Sequence, residues 1–356
     1  MKHFNVIASE LREATAYLKT VVTSSLSLPV LTHVHFSVGG TISVSGTDLD
    51  QHLTYKFNTI LGGSFDIFKY QPVGDPFNFL LSYQALKQIC SITDQATLVH
   101  FELGEQICVK AGANTINFPN SIDAKEWPTT PSQMDVAKMV KADEIISAYK
   151  KVAPYASQDI TRAILQNVAC FSKKKEGVLV ATTGVRLLKY DLENPVALEC
   201  LIPITKFLQQ ATPLDSFFGV EENLLHFMQG PCVYTTRICE DVYPNWQQVM
   251  PQEPLEHSFT LTPSEVRQLK HFACNFVDGG SICFTNTDET VQQEDGKVIF
   301  CLGKRYTGEG SFAVNGAYFM KAVSLGCRSF AFTNPRTPLL SHHKGYTIII
   351  MPIRIT

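Results

Sequence analysis

The chain has 356 residues, 45% hydrophobic and 18% charged, which is enough apolar material for a large buried core and excludes a disordered or fibrous polymer. Its net charge of −3 excludes a strongly basic protein that grips DNA by contact alone, and ten singly placed cysteines without a Cys-x-x-Cys pair exclude a zinc ribbon. At roughly 100–200 residues per domain, the length predicts two or three domains.

Period-2 alternation in "THVHFSV", "TISVSG", "HLTYKF", "TLVHFEL", "QICVKAG" and "TINFP" predicts strands with one face on a core. Six helical stretches interrupt this pattern. Residues 9–22 open at Ser9 as N-cap and align Leu11, Ala14 and Leu18 on one face; residues 82–92 align Leu86, Ile89 and Cys90. Residues 142–157 begin with Asp143 and Glu144, where acids suit the helix dipole, and end at Pro154. Residues 203–212 start with Pro203 at the first helical position. Residues 262–276 carry the cap signature Thr262, Pro263, Glu265, and residues 315–326 close on Gly326.

Residues 1–22 are amphipathic, with Arg12, Glu13 and Lys19, and lack the apolar run of a signal peptide; no run approaches 18 apolar residues. These features predict a cytoplasmic protein without a membrane span. Its cysteines read as small buried hydrophobes in a reducing compartment.

The chain repeats itself. "LPVLTHVHFSVGGTISVSGTDL" (28–49) returns as "RAILQNVACFSKKKEGVLVATTGVRLL" (162–188), with Leu31 and Leu165 matching at an offset of 134 residues. Polar and Pro-rich stretches at 123–135 and 243–257 mark boundaries, each with an aromatic-Pro pair, Trp127-Pro128 and Tyr243-Pro244. The expected organisation is three tandem α+β modules, at 1–130, 131–253 and 254–356, with two helices in each. The third copy is the weakest.

"SLSLPVLTHVHFSVGGTISVSGTDL", "LQNV…GVLVATTGVRLL", "CLIPITKFLQQ", "CEDVYPNWQQVMP" and the terminal "YTIIIMPIRI" together resemble the bacterial DNA sliding clamp, the beta subunit of DNA polymerase III, across all three thirds and in order. The resemblance implies a head-to-tail homodimer of three-module protomers, closed into a ring with sheets outside and helices lining a hole for duplex DNA. Such a ring is a processivity factor, bacterial and cytoplasmic, without catalytic residues, metal or cofactor of its own. Its implied partners are the polymerase III catalytic subunit, the clamp loader and other clamp-motif proteins. The six helical stretches hold nine basic residues, Arg12, Lys19, Lys87, Lys150, Lys151, Lys206, Arg267, Lys270 and Lys321, against five acids, a balance of +4 that leaves about −7 elsewhere. That split suits a lining that faces phosphates through screened contacts, and equally suits any solvated helix face.

The resemblance also implies a pocket for short apolar peptide motifs. One wall comprises Leu165, Thr182, Gly184, Val185, Arg186 and Leu187, and the next Pro244, Gln248 and Val249. Pro338, Ile349, Met351, Pro352, Ile353 and Arg354 supply the rest. Leu, Val, Ile, Met and Pro can make a dry groove, and Met351 adapts to varied partners. Taken singly, "YTIIIMPIRI" reads as a buried strand and "ATTGVRL" as a strand ending in a turn. The chain departs from the family pattern at Thr183, Val185 and Gln248, where an acid, a His and a basic residue are usual, which implies a different peptide preference. "SSLSLP" and "GANTINFP" lack the usual basic residues, and residues 278–303 read as one strand short.

Two alternatives remain at this level. One is a divergent clamp paralogue that binds peptides without closing a ring. The other is an enzyme using Cys274 with His271, or the pair His342 and His343 in a solvated loop, but a helical His and Cys three apart is ordinary packing and no third orienting group is evident.

Overall fold

The computed structural model describes residues 2–23, 28–57, 75–173, 175–251, 254–271, 280–284, 299–302 and 312–353. The first third supplies β1 (Lys2–Ile7), α1 (Ala8–Leu18), β2 (His33–Val38), β3 (Ile42–Thr47), β4 (Gln51–Lys56), β5 (Phe77–Ser82), α2 (Tyr83–Ile92), β6 (Leu98–Leu103), β7 (Gln106–Ala111) and β8 (Asn114–Pro119). The second supplies β9 (Val140–Lys141), α3 (Asp143–Val152), β10 (Asn167–Lys173), β11 (Glu176–Thr182), β12 (Arg186–Asp191), β13 (Leu198–Pro203), α4 (Lys206–Gln210), β14 (Ser216–Glu221), β15 (Leu224–Gln229) and β16 (Cys232–Arg237). The third supplies β17 (His257–Thr260), α5 (Pro263–His271), β18 (Ser281–Phe284), β19 (Ile299–Leu302), β20 (Phe312–Asn315), α6 (Gly316–Leu325), β21 (Ser329–Phe332), β22 (Leu339–His343), β23 (Tyr346–Ile350) and β24 (Pro352–Ile353).

Two compact units result, residues 1–146 with 205–238, and residues 147–204 with 239–356. The first holds a four-stranded sheet, β1-β6-β7-β8, and an eight-stranded sheet, β5-β2-β3-β4-β16-β15-β14-β9. The second holds an eight-stranded sheet, β13-β10-β11-β12-β23-β22-β21-β17, and a four-stranded sheet, β19-β18-β20-β24. The units follow the sheets rather than the boundaries read from the sequence, because the middle third gives β9 and β14–β16 to one sheet and β10–β13 to another.

Strand order makes the repetition physical. β5-β2-β3-β4 has its counterpart in β13-β10-β11-β12, and β1-β6-β7-β8 has counterparts in β9-β14-β15-β16 and β17-β21-β22-β23. Leu31 and Leu165, the matching residues of the repeat, are both buried in 3-10 turns that lead directly into β2 and β10. The last sheet departs from this pattern: β18 and β19 run parallel, whereas β2 and β3 are antiparallel. The segment read as one strand short contributes β18 and β19, and the rest of it lies outside the described residues.

Period-2 alternation puts β1 and β2 side chains alternately into the core, where Phe4, Phe36, Phe79 and Phe101 pack with ring centroids 4.7–6.4 Å apart. All six predicted helices form. Ser82 caps α2 by accepting from the Ala85 N–H at 3.1 Å, and Thr262 and Glu265 close a reciprocal capping box on α5. α6 ends on Gly326 at φ 107°, where a Cβ would stand 2.5 Å from the His343 ring.

Two predicted starts are corrected. α1 begins at Ala8 after Ile7, without a side-chain cap from Ser9, because β1 runs straight into the helix with Ile7 still opposite Leu98. Pro203 is the last residue of β13, opposite Asn167, and Thr205 caps the shorter α4. His342 and His343 end strand β22 opposite Thr347 and Tyr346 rather than lying in a loop. Cys274 and the side chain of Cys301 lie outside the described residues; Cys90, Cys170, Cys200, Cys232, Cys283 and Cys327 are buried thiols as expected, whereas Cys108 and Cys239 are only half-buried.

Candidate partner-binding site

The repeated stretch builds the site within the second unit. Asp159 accepts from the Thr161 N–H at 2.9 Å and starts the 3-10 segment Ile160–Gln166, which turns Leu165 inward. Asn167 donates to the Ala163 carbonyl at 2.9 Å and hands the chain to β10. After β11, the Thr182 hydroxyl accepts from the Gly184 N–H (3.0 Å) and donates to the Arg186 carbonyl (2.7 Å), closing a tight turn. Gly184 sits at φ +90°, and a Cβ there would stand 3.4 Å from Arg162 Nη1, so both backbone and space favour glycine.

Register then assembles one apolar face. Leu201 lies opposite Ala169, Ala169 opposite Val180, Leu187 opposite Ile349, and Ile349 opposite Leu340. Leu165 and Tyr243 close over these residues, and Ile164, Trp246, Met250 and Leu255 pack partly buried against them. Fully burying each of the large aliphatic side chains contributes about 1.5–3 kcal/mol. Burial pushes the Tyr243 hydroxyl well above its usual pKa, so it stays protonated and neutral. Exposed apolar side chains continue the face outward: the Met351 N–H donates to the Val185 carbonyl at 2.9 Å, and Val185, Val249 and Met351 are all exposed.

Of the predicted pocket residues, Leu165, Leu187 and Ile349 therefore meet in one cluster, and Thr182 and Gly184 shape its adjoining turn. Pro244 lines a neighbouring cleft, Gln248 is exposed, and Pro338 is half-buried ahead of β22. Pro352 and Ile353 are drawn into β24 against β20, and Arg354 lies outside the described residues. Arg186 contributes only backbone to this face. The residue is 7% exposed, and its guanidinium donates to the Pro154 carbonyl at 2.8 Å and lies 5.2 Å from the Tyr155 ring and 4.3 Å from the Tyr318 ring. Burial lowers the Arg186 pKa and raises that of Tyr155. Sequence reasoning missed Ala169, Val180, Leu201, Tyr243 and Leu340, because the first three and Leu340 come together only through the register of β10, β11, β13, β22 and β23, and Tyr243 joins them from outside any strand.

The predicted DNA-facing cations are differently engaged. Lys19, Lys206, Arg267 and Lys270 are exposed and Lys150 is half-buried. Lys87 lies 5.4 Å from the Tyr83 ring and Lys151 5.2 Å from the Tyr346 ring. Arg12 is half-buried and donates to the Thr93 carbonyl at the end of α2, and Lys321 donates to the Pro154 carbonyl at 3.1 Å. Burial, and then Arg186, lowers the Lys321 pKa. Among the described residues no cluster of His, Cys, Asp and Glu is set to hold a metal, and no helix is long and apolar enough to cross a membrane.

No protein-family profile matches the chain, and no curated protein matches it. Solved structures do. The DNA polymerase sliding clamp of Bacillus subtilis is similar over 100% of both chains at 18% identity with a TM-score of 0.81. The DNA polymerase III beta chain of Streptococcus pneumoniae also covers 100% of both at 18% identity, with a TM-score of 0.82. The Bartonella birtlesii sliding clamp bound to griselimycin covers 99% of this chain and 100% of its own at 16% identity, with a TM-score of 0.79. From its first strand to its last, the chain has the fold of the bacterial DNA sliding clamp.

Proposed function

We propose that the protein is a DNA polymerase processivity factor, a homodimeric ring that slides on duplex DNA in the cytoplasm and tethers polymerase, clamp loader and other motif-bearing proteins without catalysis of its own. The observation that carries this reading is the likeness to sliding clamps over the full length of both chains. Three modules at 1–130, 131–253 and 254–356 are supported by eight strands and two α-helices in each third of the described chain. Among the described residues β8 ends one four-stranded sheet and β19 the other. Edge strands invite strand pairing, and in this reading a head-to-tail partner pairs with them.

Leu165, Thr182, Gly184, Leu187, Val249, Ile349 and Met351 form the peptide pocket in this reading, taking extended segments with apolar anchors. The exposed helix cations Lys19, Lys87, Lys151, Lys206, Arg267 and Lys270 meet phosphates in screened contacts. Topology supplies retention, so a net charge of −3 is no obstacle. The test is retention on circular DNA: loaded by a bacterial clamp loader with ATP onto nicked circles, the protein stays through gel filtration and is lost when the circle is cut. Equal retention on linear and circular DNA contradicts the proposal. The parallel β18–β19 pair favours a second reading, a paralogue that binds peptides without closing a ring.

A further inference from the structure

A cleft of about 1010 Å³ opens beside the apolar cluster, at the hairpin end of β10 and β11. Its floor is Phe171 and Val178, which stand opposite each other in register, and its wall is the segment from Tyr243 to Gln247. Phe171, Val178, Tyr243 and Trp246 belong to both cleft and cluster, so the two form one continuous surface. Tyr243 meets Phe171 edge-on at 6.3 Å.

The charges on the cleft are unevenly matched. Lys189 is neutralised, with its Nζ 2.8 Å from Asp191 Oδ1 and 5.9 Å from the Trp246 ring. Lys173 and Lys175 also line the cleft; both are exposed, and among the described residues neither has a carboxylate within 4.0 Å. Glu199 stands across the floor on the edge strand opposite Phe171, and among the described residues of the hairpin Lys173 and Lys175 face one acid, Glu176, an excess of +1. The hairpin end is therefore cationic above an aromatic floor.

We propose that this cleft takes the flank of a partner peptide whose apolar anchors fill the adjoining cluster, and that it selects flanks carrying Asp or Glu through Lys173 and Lys175. The inference rests on the peptide-binding reading above. An extended chain leaving the cluster over Tyr243 and Trp246 meets Phe171 and Val178 first and the two lysines at the rim, so apolar anchoring and charge selection fall on consecutive residues of one segment.

The experiment uses three labelled peptides sharing one leucine- and phenylalanine-anchored core: core alone, core with an acidic flank, and core with a basic flank. Their Kd values are measured by fluorescence anisotropy on the full chain and on Lys173→Glu with Lys175→Glu. The acidic flank should tighten binding about three- to tenfold at low ionic strength, lose that gain in high salt, and lose it in the double variant, which keeps its affinity for the core. Equal affinity for all three peptides overturns the proposal while the peptide pocket stands. If the core does not bind, the pocket reading fails, and the cleft is then read separately. The acidic flank alone should change Trp246 emission in the wild type and not in Trp246→Phe, and an unchanged spectrum overturns the cleft proposal too. A single-stranded oligonucleotide that displaces the acidic peptide at lower concentration assigns the lysines to nucleic acid and also overturns it.

Discussion

Arg186 and Leu187 are consecutive on β12, yet their side chains leave the sheet on opposite faces: Leu187 enters the apolar cluster, while Arg186 lies between the rings of Tyr155 and Tyr318 with its guanidinium on the Pro154 carbonyl. Strand geometry requires this alternation. It separates the apolar cluster from internal bracing at two neighbouring positions.

Leu187→Ala combined with Met351→Ala should therefore weaken binding of an apolar-anchored peptide at least about tenfold, with the oligomeric state unchanged in size exclusion. Arg186→Ala should do the reverse, keeping peptide affinity while costing about 1–3 kcal/mol in urea denaturation, because the Pro154 carbonyl keeps only Lys321 as a charged donor and the Tyr155 and Tyr318 rings lose their cation. Loss of the folded protein in the first variant would assign Leu187 and Met351 to the core alone.

Gly184→Ala should strain the turn. At φ +90° an L-residue is disfavoured by about 1 kcal/mol or more, and the new methyl group meets Arg162. The expected result is a lower midpoint in thermal unfolding together with weaker peptide binding, since the Thr182 hydroxyl no longer holds the turn. A variant with unchanged affinity would remove the turn from the pocket.

His52 gives the first unit an acid sensitivity. It is 7% exposed, and burial, with a smaller effect from His35, lowers its pKa to about 4. Its folded pKa lies below its unfolded value of about 6.5, so the unfolded state binds the extra proton between those pH values. Stability is complete above pH ~6.5 and falls as pH drops towards ~4, by as much as about 3 kcal/mol for this group. Differential scanning calorimetry across that window should show Tm falling with pH, with a shallower fall in His52→Gln. Equal slopes in both proteins would contradict the assignment.

The cap of α5 should behave as a local element. Thr262→Ala removes the hydroxyl that accepts from the Glu265 N–H at 3.3 Å and should cost about 1 kcal/mol. Hydrogen exchange confined to the first turn of α5 is the expected signature, and a global change would show that Thr262 carries more than the cap.

Features written in a few adjacent residues were legible in the sequence. The caps at Thr262 and Gly326 and the six helices depend on neighbours within four positions, and the repeat marked Leu31 and Leu165 as equivalent. Ser9 and Pro203 misled because each looks like a helix start by itself, while ladder partners at Leu98 and Asn167 keep Ile7 and Pro203 in strands. The eight-stranded sheets were not legible, since the pairings of β4 with β16 and β12 with β23 join residues more than 150 positions apart. The cluster was half legible. The resemblance pointed to Leu165, Leu187 and Ile349, but Ala169, Val180 and Leu340 reach it only through cross-strand register.

The most direct test of the ring is the mass in solution. Static light scattering after size exclusion, at low and high protein concentration, should give about twice the 39.6 kDa of one chain. A single-chain mass at every concentration would contradict ring closure and leave an unclosed, peptide-binding relative of the clamp.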